Sequence, residues 1–377
     1  MLDRAKVLQE LQALSHTLSL DVSSELVLAE QIWNSITKDG SFASKAAVVE
    51  GALWPIPTWF GSLDECIPVQ STCSAYEVIA VDGSQIYPDK HQGTSCYLIN
   101  IGGIHIRYGS PENPLSFYSQ PHVFLPNTSE NTQELAITHS TDFVNCLRHE
   151  YEFKAAVTLS HTIRAHIPNV ILLDGSLIFW HLENKETDLK DRFLGQYLFS
   201  LHALFLTKTA VASYISLPKS KELVTLLRLA LCNFDMSNTS AFTCIERLVD
   251  THIINLFLPV GNRSTVFINN SKIALQYPAH LKPCFFYLNT GYEVARIEVP
   301  YWIGQQKDMV DSIATLILDQ VEKGLGYPVT LAEAHEQAVV KGPDRDFFYH
   351  MIQKCLFEQT SHLVYSKKSI KKRAIGI

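Results

Sequence analysis

The sequence EVIAVDGSQIYP, residues 77–88, contains an apolar run that leads into an Asp-Gly-Ser triplet. Nearly the same phrase, NVILLDGSLIFW, occupies residues 169–180. Short apolar runs of this kind are typical of buried strands, and a glycine after the aspartate allows the chain to turn sharply. We therefore predict two strands that end at Asp82 and Asp174. If the two strands are neighbours in one sheet, the two carboxylates lie at the same edge.

Two neighbouring carboxylates repel each other, so one of them resists ionisation unless a cation lies between them. Carboxylate oxygens favour Mg²⁺ or Mn²⁺, and sites in open α/β sheets form at the carboxyl ends of strands. The simpler alternative is ordinary turn chemistry, in which each aspartate caps its own turn. The occurrence of the triplet on two apolar strands, with a helix between them, favours the metal site.

The composition is that of a globular protein with a substantial core. Of the 377 residues, 46% are hydrophobic and 18% are charged, so the chain can bury enough apolar surface to fold. The formal net charge of −7 argues against a uniformly basic nucleic-acid binder, although it is compatible with a local basic groove.

The cysteines and the first residues bear on the compartment. Eight cysteines without a Cys-x-x-Cys spacing predict reduced thiols and no zinc or redox motif. Asp3, Arg4 and Lys6 precede any apolar run, which is unlike a secretory signal. No stretch approaches the roughly 20 apolar residues that a membrane helix needs. We therefore expect a cytoplasmic protein.

The first half of the chain predicts strands between helices. Leucines at helical spacing predict a helix over residues 1–37, followed by an irregular connector over 38–76. A long helix is predicted over Glu130–His166, and the proline-containing stretch 110–128 is predicted to be a loop. The pair Gly102-Gly103 predicts a two-residue hairpin. The predicted strands are Glu77–Val81, Ser95–Ile101, Ile104–Tyr108 and Val170–Leu173.

The second half predicts a mainly helical block over 181–250, with one strand-like patch at 210–216. Further strands are predicted at 264–268, 284–289 and 293–300, and closing helices at 305–323, 330–340 and 344–358. This order is that of a ribonuclease-H-like α/β fold. Its mixed sheet has three antiparallel strands first, then parallel strands linked by helices, and helices flank it. The block 181–250 is predicted to be inserted into that fold.

Four further residues are candidates for the site. The predicted helix between the two strands carries Glu150 and Glu152, and a helix packed on the sheet can direct one glutamate towards the strand ends. Glu152 borders the apolar stripe and is the first candidate, whereas a solvated glutamate is the alternative. Tyr327 precedes a proline, and His335 lies on the next helix, where an imidazole can orient water or contact a phosphate. A core histidine is the alternative for His335.

With these residues assembled, the sequence resembles the NurA family of nucleases. The matching phrases follow the family's order over residues from about 77 to 340. They are IAVDGSQ (79–85), LRHEYE (147–152), ILLDGSLI (171–178), YISLPKS (214–220), GNRSTVF (261–267), VARIEVP (294–300) and GYPVTLAEAHEQA (326–338). One departure is Leu217, where the family often has a basic residue.

The resemblance implies Mn²⁺-dependent cleavage of DNA, 5′ to 3′ on single strands, with endonuclease activity. It also implies a homodimer that works with a HerA-type hexameric DNA-translocating ATPase in DNA end resection. By the resemblance, the metal ligands fall on Asp82, Glu152 and Asp174, with Glu150 as the alternative glutamate. The family's tyrosine and histidine fall on Tyr327 and His335.

The mechanism that follows is phosphodiester hydrolysis with two metal ions, in which Asp82 is shared between the ions. Phosphate binding needs local positive charge. The candidate contacts are Lys219, Lys221, Arg228, Arg263 and Arg296. For Arg296, an ion pair with the neighbouring Glu298 or with Glu293 is an equal alternative.

The predicted division of the chain is an N-terminal helix and connector (1–76), a nuclease domain (77–345), and a C-terminal helix with a basic tail (346–377). The block 181–250 is the first candidate for a dimer surface. A non-catalytic dimer that binds DNA or an ATPase is the first alternative function. An actin-like nucleotide-binding enzyme is the second, although Gln85 and Ile86 replace the small hydroxyl residue that such a phosphate hairpin needs.

Overall fold

Eleven strands form one mixed sheet in the part of the chain that this computed structural model describes. The described residues are 2–14, 21–49, 55–70, 75–89, 96–109, 115–125, 140–164, 167–235 and 243–359, with side chains to residue 355. The strands are β1 (Thr58–Trp59), β2 (Cys66–Pro68), β3 (Tyr76–Ile86), β4 (Tyr97–Tyr108), β5 (Leu115–Phe124), β6 (Asn169–Asp174), β7 (Val211–Ile215), β8 (Asn262–Ser264), β9 (Phe267–Ile268), β10 (Pro283–Asn289) and β11 (Val294–Pro300). Their order is β1-β9-β10-β11-β7-β6-β3-β4-β5, and β8 pairs with β2 and β10.

The sheet combines antiparallel and parallel pairs. β3, β4 and β5 are antiparallel neighbours, and β6 and β7 run parallel to β3. β11 is antiparallel to β7, and β10 is antiparallel to β11. The central strands β6, β7 and β11 are buried on both faces. This burial explains the continuous apolar run of β6, whereas β11 also buries the charged pair Arg296 and Glu298. The predicted α/β class with a mixed sheet is confirmed.

Helices cover both faces of the sheet. They are α1 (Arg4–Ala13), α2 (Ser23–Ile36), α3 (Phe42–Ala47), α4 (Thr141–Ser160), α5 (Thr187–Leu206), α6 (Glu222–Leu231), α7 (Asp250–Ile254), α8 (Tyr301–Gly304), α9 (Lys307–Lys323), α10 (Val329–Ala338) and α11 (Gly342–Gln359). A side chain at Gly102 would collide with α10, whereas one at Gly103 would meet Leu159 of α4. Successive strand residues face opposite sides, so α4 and α10 lie on opposite faces of β4. Within the described residues, no helix is long and apolar enough to cross a membrane.

The predicted turn after Asp82 and the predicted hairpin at Gly102-Gly103 are both wrong. β3 continues past the triplet and stays paired with β4 along its whole length. β4 runs without a break through both glycines. The helices on the two faces of the sheet approach its backbone closely there, so there is no room for a larger side chain. A Cβ atom at Gly102 would lie 2.2 Å from the amide nitrogen of Ala338. These glycines therefore allow helix packing and do not form a turn.

The predicted loop over 110–128 is also wrong for residues 115–125, which contain β5. β5 lies at the edge of the sheet, where Pro121 is tolerated because one side of an edge strand has no ladder to complete. The three antiparallel strands are therefore β3, β4 and β5. They replace the predicted set at 77–81, 95–101 and 104–108.

Most predicted helices are present with shorter bounds. The helix predicted over 1–37 is divided into α1 and α2 within the described residues, and the connector over 38–76 contains α3, β1 and β2. The helix predicted over Glu130–His166 is α4, and residues 126–139 lie outside the described part of the chain. The three closing helices are confirmed as α9, α10 and α11.

Three apolar clusters fill the interior of the described part of the chain. The largest one lies between the sheet and helices α4, α5, α9 and α10. The second joins α2 and α3 to α6, α7 and β10, with Trp33 and Leu226 among its buried residues. The third and smallest packs α11 on the end of β3. The block 181–250 is therefore not an insertion, because β7 is a central strand and its helices belong to these clusters. A boundary at residue 345 would cut α11, and the basic tail lies outside the described residues.

Candidate active site

The parallel pair of β3 and β6 brings the two triplet aspartates to one place. The last paired residues of the two strands are Val81 and Leu173, so Asp82 and Asp174 occupy the next position on each strand. β6 ends there, because Gly175 has a φ angle of +89°, which favours glycine. β3 continues beyond its aspartate, next to β4. The expected meeting of the two carboxylates at one edge therefore has a structural basis.

Asp82 accepts hydrogen bonds at both carboxylate oxygens. Its Oδ1 lies 2.8 Å from the backbone nitrogen of Gly83, and its Oδ2 lies 2.8 Å from Nδ1 of His335. α10 reaches this position because the backbone of β4 carries no side chain at Gly102. The side chain of His335 is 59% exposed, so the core-histidine alternative is wrong.

Glu152, on α4, approaches β3 from the face of the sheet opposite to α10. A Cβ atom at Gly83 would lie 2.6 Å from Oε1 of Glu152, so this glycine leaves room for the carboxylate. Arg148 donates from Nη1 to Oε1 of Glu152 at 2.6 Å and to the carbonyl oxygen of Gly83 at 2.9 Å. Glu150, by contrast, pairs with Lys154 at 2.6 Å. Of the two candidate glutamates, the structure thus places Glu152 beside the aspartates.

Two histidines complete the surroundings of Glu152. Nδ1 of His149 lies 3.0 Å from Oε2 of Glu152, and the His149 ring stacks on His181 with centroids 5.2 Å apart. Burial alone would raise the pKa of Glu152, but the positive charges of His149 and Arg148 outweigh it and lower the pKa. Burial, followed by the same two cations, lowers the pKa of His181 to about 4. Glu152 is therefore held ionised beside a neutral His181.

Asp174 is the carboxylate whose pKa is raised. Asp174 is exposed at the end of β6, but the surrounding protein partly desolvates its carboxylate. This desolvation raises its pKa, and the negative charges of Asp82 and Glu152 raise it further. The nearby hydroxyl of Tyr327 opposes this shift as a donor. Burial and the Asp174 charge raise the pKa of Tyr327, so its hydroxyl keeps the proton that it donates. The Tyr327 ring meets Tyr214 edge to face, with centroids 5.5 Å apart.

The donor set fits a hard divalent cation in type, because three carboxylates act on one another at this edge. Within the described residues, however, no three His, Cys, Asp or Glu side chains converge closely enough to hold a metal ion. Asp82 and Glu152 accept from His335, Arg148 and His149. To bind an ion, Glu152 would have to release Arg148 and His149.

Three of the predicted phosphate contacts are wrong. Arg228, Arg263 and Arg296 are 2–3% exposed, so their guanidinium groups lie in the interior. Arg263 pairs with Asp311, and Arg296 donates from Nε to Glu298 at 2.8 Å, which confirms its ion-pair alternative. The buried charge of Arg296 is neutralised by the buried carboxylates of Glu298 and Glu222.

The two predicted lysines differ in their surroundings. Lys221 donates from Nζ to the carbonyl oxygen of Glu246 at 2.6 Å. Lys219 is exposed, and its contact with a phosphate stays a prediction.

Several polar residues near the site were not predicted. Arg148 and His149 stand inside the phrase LRHEYE, where their spacing of four and three residues from Glu152 places them on one helix face. Glu293 accepts from the Tyr214 hydroxyl at 2.6 Å and thereby supports the ring next to Tyr327. No signal in the sequence distinguishes this glutamate from a surface residue of a strand.

A family model described as the NurA domain matches residues 76–340. The chain belongs to the NurA family. Two solved NurA structures resemble it at 11% sequence identity. A crystal structure of NurA covers 81% of this chain and 91% of its own, with a TM-score of 0.34. A crystal structure of NurA bound to dAMP and manganese covers 84% of this chain and 92% of its own, with a TM-score of 0.36.

A search of curated protein sequences finds no match. The resemblance to the NurA family is thus confirmed through the family model, and both triplets, Glu152, Tyr327 and His335 lie inside the NurA domain.

Proposed function

We propose that the protein is a metal-dependent DNA nuclease whose active site is formed by Asp82, Glu152 and Asp174. One observation carries this proposal. The parallel pairing of β3 and β6 places Asp82 and Asp174 at the same position of neighbouring strands, and Glu152 of α4 reaches the backbone of the next residue, Gly83. The charges of Asp82 and Glu152 accordingly raise the pKa of Asp174. Such mutual repulsion is costly for stability and is typical of functional sites. Membership of the NurA family supports a nuclease-type function.

The proposed fold of the core is ribonuclease-H-like. Five adjacent strands in the order β5-β4-β3-β6-β7 support this assignment, because the first three along the chain are antiparallel and the next two are parallel to β3. Helix α4 lies between β5 and β6 in the sequence, as such a connection requires.

In the proposed mechanism, Asp82, Glu152 and Asp174 would hold Mn²⁺ or Mg²⁺, as the two-metal reaction of this type requires. When bound, such ions activate water and stabilise the charge of the phosphate. A NurA structure contains dAMP and manganese, and family membership makes these the first ligands to test on this chain.

His335 is the proposed proton acceptor. Its Nδ1 lies 2.8 Å from Oδ2 of Asp82, and a carboxylate can only accept, so the proton of the neutral ring resides on Nδ1. The lone pair is then on Nε2, which can accept a proton from water or bind a phosphate-linked hydroxyl. Asp82 thus orients the imidazole as well as serving as a ligand.

Tyr327 and Arg148 are proposed to hold the carboxylates in place before a metal ion binds. Tyr327 donates to Asp174 and is fixed by the ring of Tyr214. Arg148 joins Glu152 to the backbone of β3 through the carbonyl oxygen of Gly83. Lys219 is the remaining predicted phosphate contact, and it supplies the positive charge that the buried arginines cannot.

We further propose, from family membership, 5′-to-3′ digestion of single strands with endonuclease activity, in DNA end resection. A homodimer and a HerA-type ATPase partner belong to the same proposal. The alternative is a non-catalytic dimer that binds DNA or the ATPase. The pairing of Glu152 with Arg148 and His149 is compatible with it. The actin-like alternative loses its basis, because the chain belongs to the NurA family.

Two glutamates on one helix provide a matched test. We expect Glu152→Gln to abolish degradation of 5′-labelled single-stranded DNA with Mn²⁺, because it removes a ligand. Glu150→Gln, which loses the contact with Lys154, should retain wild-type activity. If the wild type is inert with Mn²⁺ and Mg²⁺, alone and with its ATPase, the nuclease proposal is wrong. If both variants are active, Glu152 is not a ligand.

A further inference from the structure

Glu298, on β11, is a buried carboxylate that contacts Ser176 of the second triplet and the residue after it. It is 1% exposed, and its Oε2 accepts from the Ser176 hydroxyl and from the Leu177 backbone nitrogen, each at 2.8 Å. Its Oε1 accepts from Nε of Arg296 at 2.8 Å. One carboxylate thus joins a central strand of the sheet to the turn that follows Asp174.

Outside the sheet, the turn is supported by the Tyr277 hydroxyl, which donates to the carbonyl oxygen of Leu177 at 2.8 Å. The backbone of the turn has weaker contacts with the sheet. A Cβ atom at Gly175 would meet nothing within 4 Å, so packing at this glycine does not hold the backbone. The Gly175 nitrogen reaches the carbonyl oxygen of Tyr214 at 3.3 Å, which is a long hydrogen bond. Ser176 also accepts from the Ile178 nitrogen at 2.9 Å, so its hydroxyl stands at the centre of the turn. The two bonds to Glu298 are the shortest that tie the turn to the sheet.

Arg296 is the ion-pair partner of Glu298. That guanidinium lies between Glu298 and Glu222, whose Oε1 is 2.9 Å from Nη1, and its centre is 3.7 Å from the ring centroid of Phe285. A buried carboxylate with a fixed cation accepts stronger hydrogen bonds than a neutral group. Glu222 contacts the same cation but does not touch the turn.

We propose that Glu298 is a positioning residue that fixes the backbone of residues 174–176 and thereby aims the Asp174 carboxylate at Asp82 and Glu152. This inference rests on the proposed function, because it assigns Asp174 to a metal site. Groups that orient a metal ligand from behind commonly contribute about 10–100-fold to metal affinity.

Glu298→Gln and Glu222→Gln form a matched pair of variants. Each replaces one carboxylate beside Arg296 by an amide of the same shape. At residue 298, the amide can present its oxygen to Arg296 or to the turn, but not to both. At residue 222, the turn keeps its acceptor. Both variants should lose stability, but only Glu298→Gln should disturb Asp174.

The test compares the dissociation constant for Mn²⁺, by calorimetry at a temperature where all variants are folded, and hydrogen exchange at the Leu177 amide. We expect Glu298→Gln to bind Mn²⁺ about 10-fold more weakly and to exchange faster at this amide. Glu222→Gln should match the wild type in both. Ser176→Ala, which removes one bond and keeps Glu298, should weaken Mn²⁺ binding less and remain folded.

The outcomes separate the two claims. A wild type that binds neither Mn²⁺ nor Mg²⁺ would overturn the proposed function and the role of Glu298 together. A wild type that binds Mn²⁺, with Glu298→Gln and Glu222→Gln equally affected, would overturn the positioning role alone. If Glu298→Gln does not fold, unchanged Mn²⁺ binding in Ser176→Ala overturns it.

Discussion

The triplet at residues 82–84 continues a strand, whereas the triplet at residues 174–176 ends one. In the first, the backbone stays extended and paired with β4 through all three residues. In the second, pairing with β3 stops at Leu173, and the chain turns at Gly175. Identical letters therefore adopt two conformations: β3 keeps its antiparallel partner β4 through the first triplet, whereas the positive φ angle of Gly175 turns the chain away from the sheet in the second.

The two glycines are needed for different physical reasons. Gly83 has space for no side chain, since a Cβ atom would lie 2.6 Å from Glu152 and 2.9 Å from Arg148. Gly175 has open space around it but a positive φ angle that other residues adopt at a cost. One position is limited by contact and the other by backbone torsion.

The two serines also differ in their partners. Ser84 donates to the carbonyl oxygen of Ala338 at 2.6 Å and ties β3 to the end of α10. Ser176 donates to the carboxylate of Glu298 and ties the turn to β11. The two aspartates therefore lie together, whereas the glycine and serine after each aspartate stabilise a strand in one triplet and a turn in the other. Variants of each triplet should therefore differ in predictable ways.

The largest expected effect is common to both triplets. Asp82→Asn and Asp174→Asn should each lower the rate of Mn²⁺-dependent DNA cleavage by more than about 100-fold, since losing a ligand exceeds losing its outer support. Both variants should keep the circular dichroism spectrum of the wild type. An active Asp174→Asn would show that only the first triplet belongs to the site, and an unfolded one would show that Asp174 is a turn cap.

The glycines separate the two triplets by stability. Gly83→Ala should lose about 1–3 kcal/mol of unfolding free energy through overpacking, and Gly83→Asn should lose more because its side chain is larger. Gly175→Ala should lose about 1–2 kcal/mol through backbone strain, and Gly175→Asn should lose less because asparagine tolerates positive φ. Chemical denaturation measures all four. If Ala and Asn lose unfolding free energy in the same order at both positions, the two glycines are not needed for different reasons.

Ser84→Ala should have a smaller effect, about 1 kcal/mol, because one hydrogen bond is lost. The Ala338 carbonyl keeps the amide of Asn100 as a donor at 2.9 Å, so no acceptor is left without a partner. Unlike Ser176→Ala, this variant should bind Mn²⁺ as the wild type does, and a titration with each protein side by side provides the check. Equal weakening in both serine variants would remove the distinction between the triplets.

The smallest expected effect is a pH dependence of the metal-free protein. The folded pKa of Asp174 is raised by burial and by Asp82 and Glu152. Its protonated form therefore favours folding below the unfolded pKa of about 3.9, and this contribution is lost as pH rises through the higher folded pKa. Asp174→Asn avoids the loss, so it should be slightly more stable than the wild type at pH 7 and equal to it near pH 3. Melting temperatures in chelator measure this, and a less stable variant at pH 7 favours the turn-cap role.

The sequence predicts elements well where local pattern and tertiary packing agree. β6 and β10 were predicted because strands buried on both faces have continuous apolar runs. The expected proximity of Asp82 and Asp174 follows from the parallel pairing of β3 and β6, although β3 does not end at Asp82.

Tertiary contacts explain what the sequence did not predict. The glycines of β4 resemble a hairpin turn, yet Gly102 is needed because α10, more than 200 residues later in the chain, packs on it, and Gly103 faces Leu159 of α4. Arg263 and Arg296 resemble phosphate contacts, but their burial depends on Asp311 and Glu298, which no local pattern joins to them.

The most direct test of the central claim is anomalous diffraction at the manganese edge from crystals of the protein with Mn²⁺. The account predicts manganese bound by Asp82, Glu152 and Asp174, with Glu152 released from Arg148. Manganese bound elsewhere, with these three carboxylates still held by His335, Arg148 and Tyr327, would contradict it.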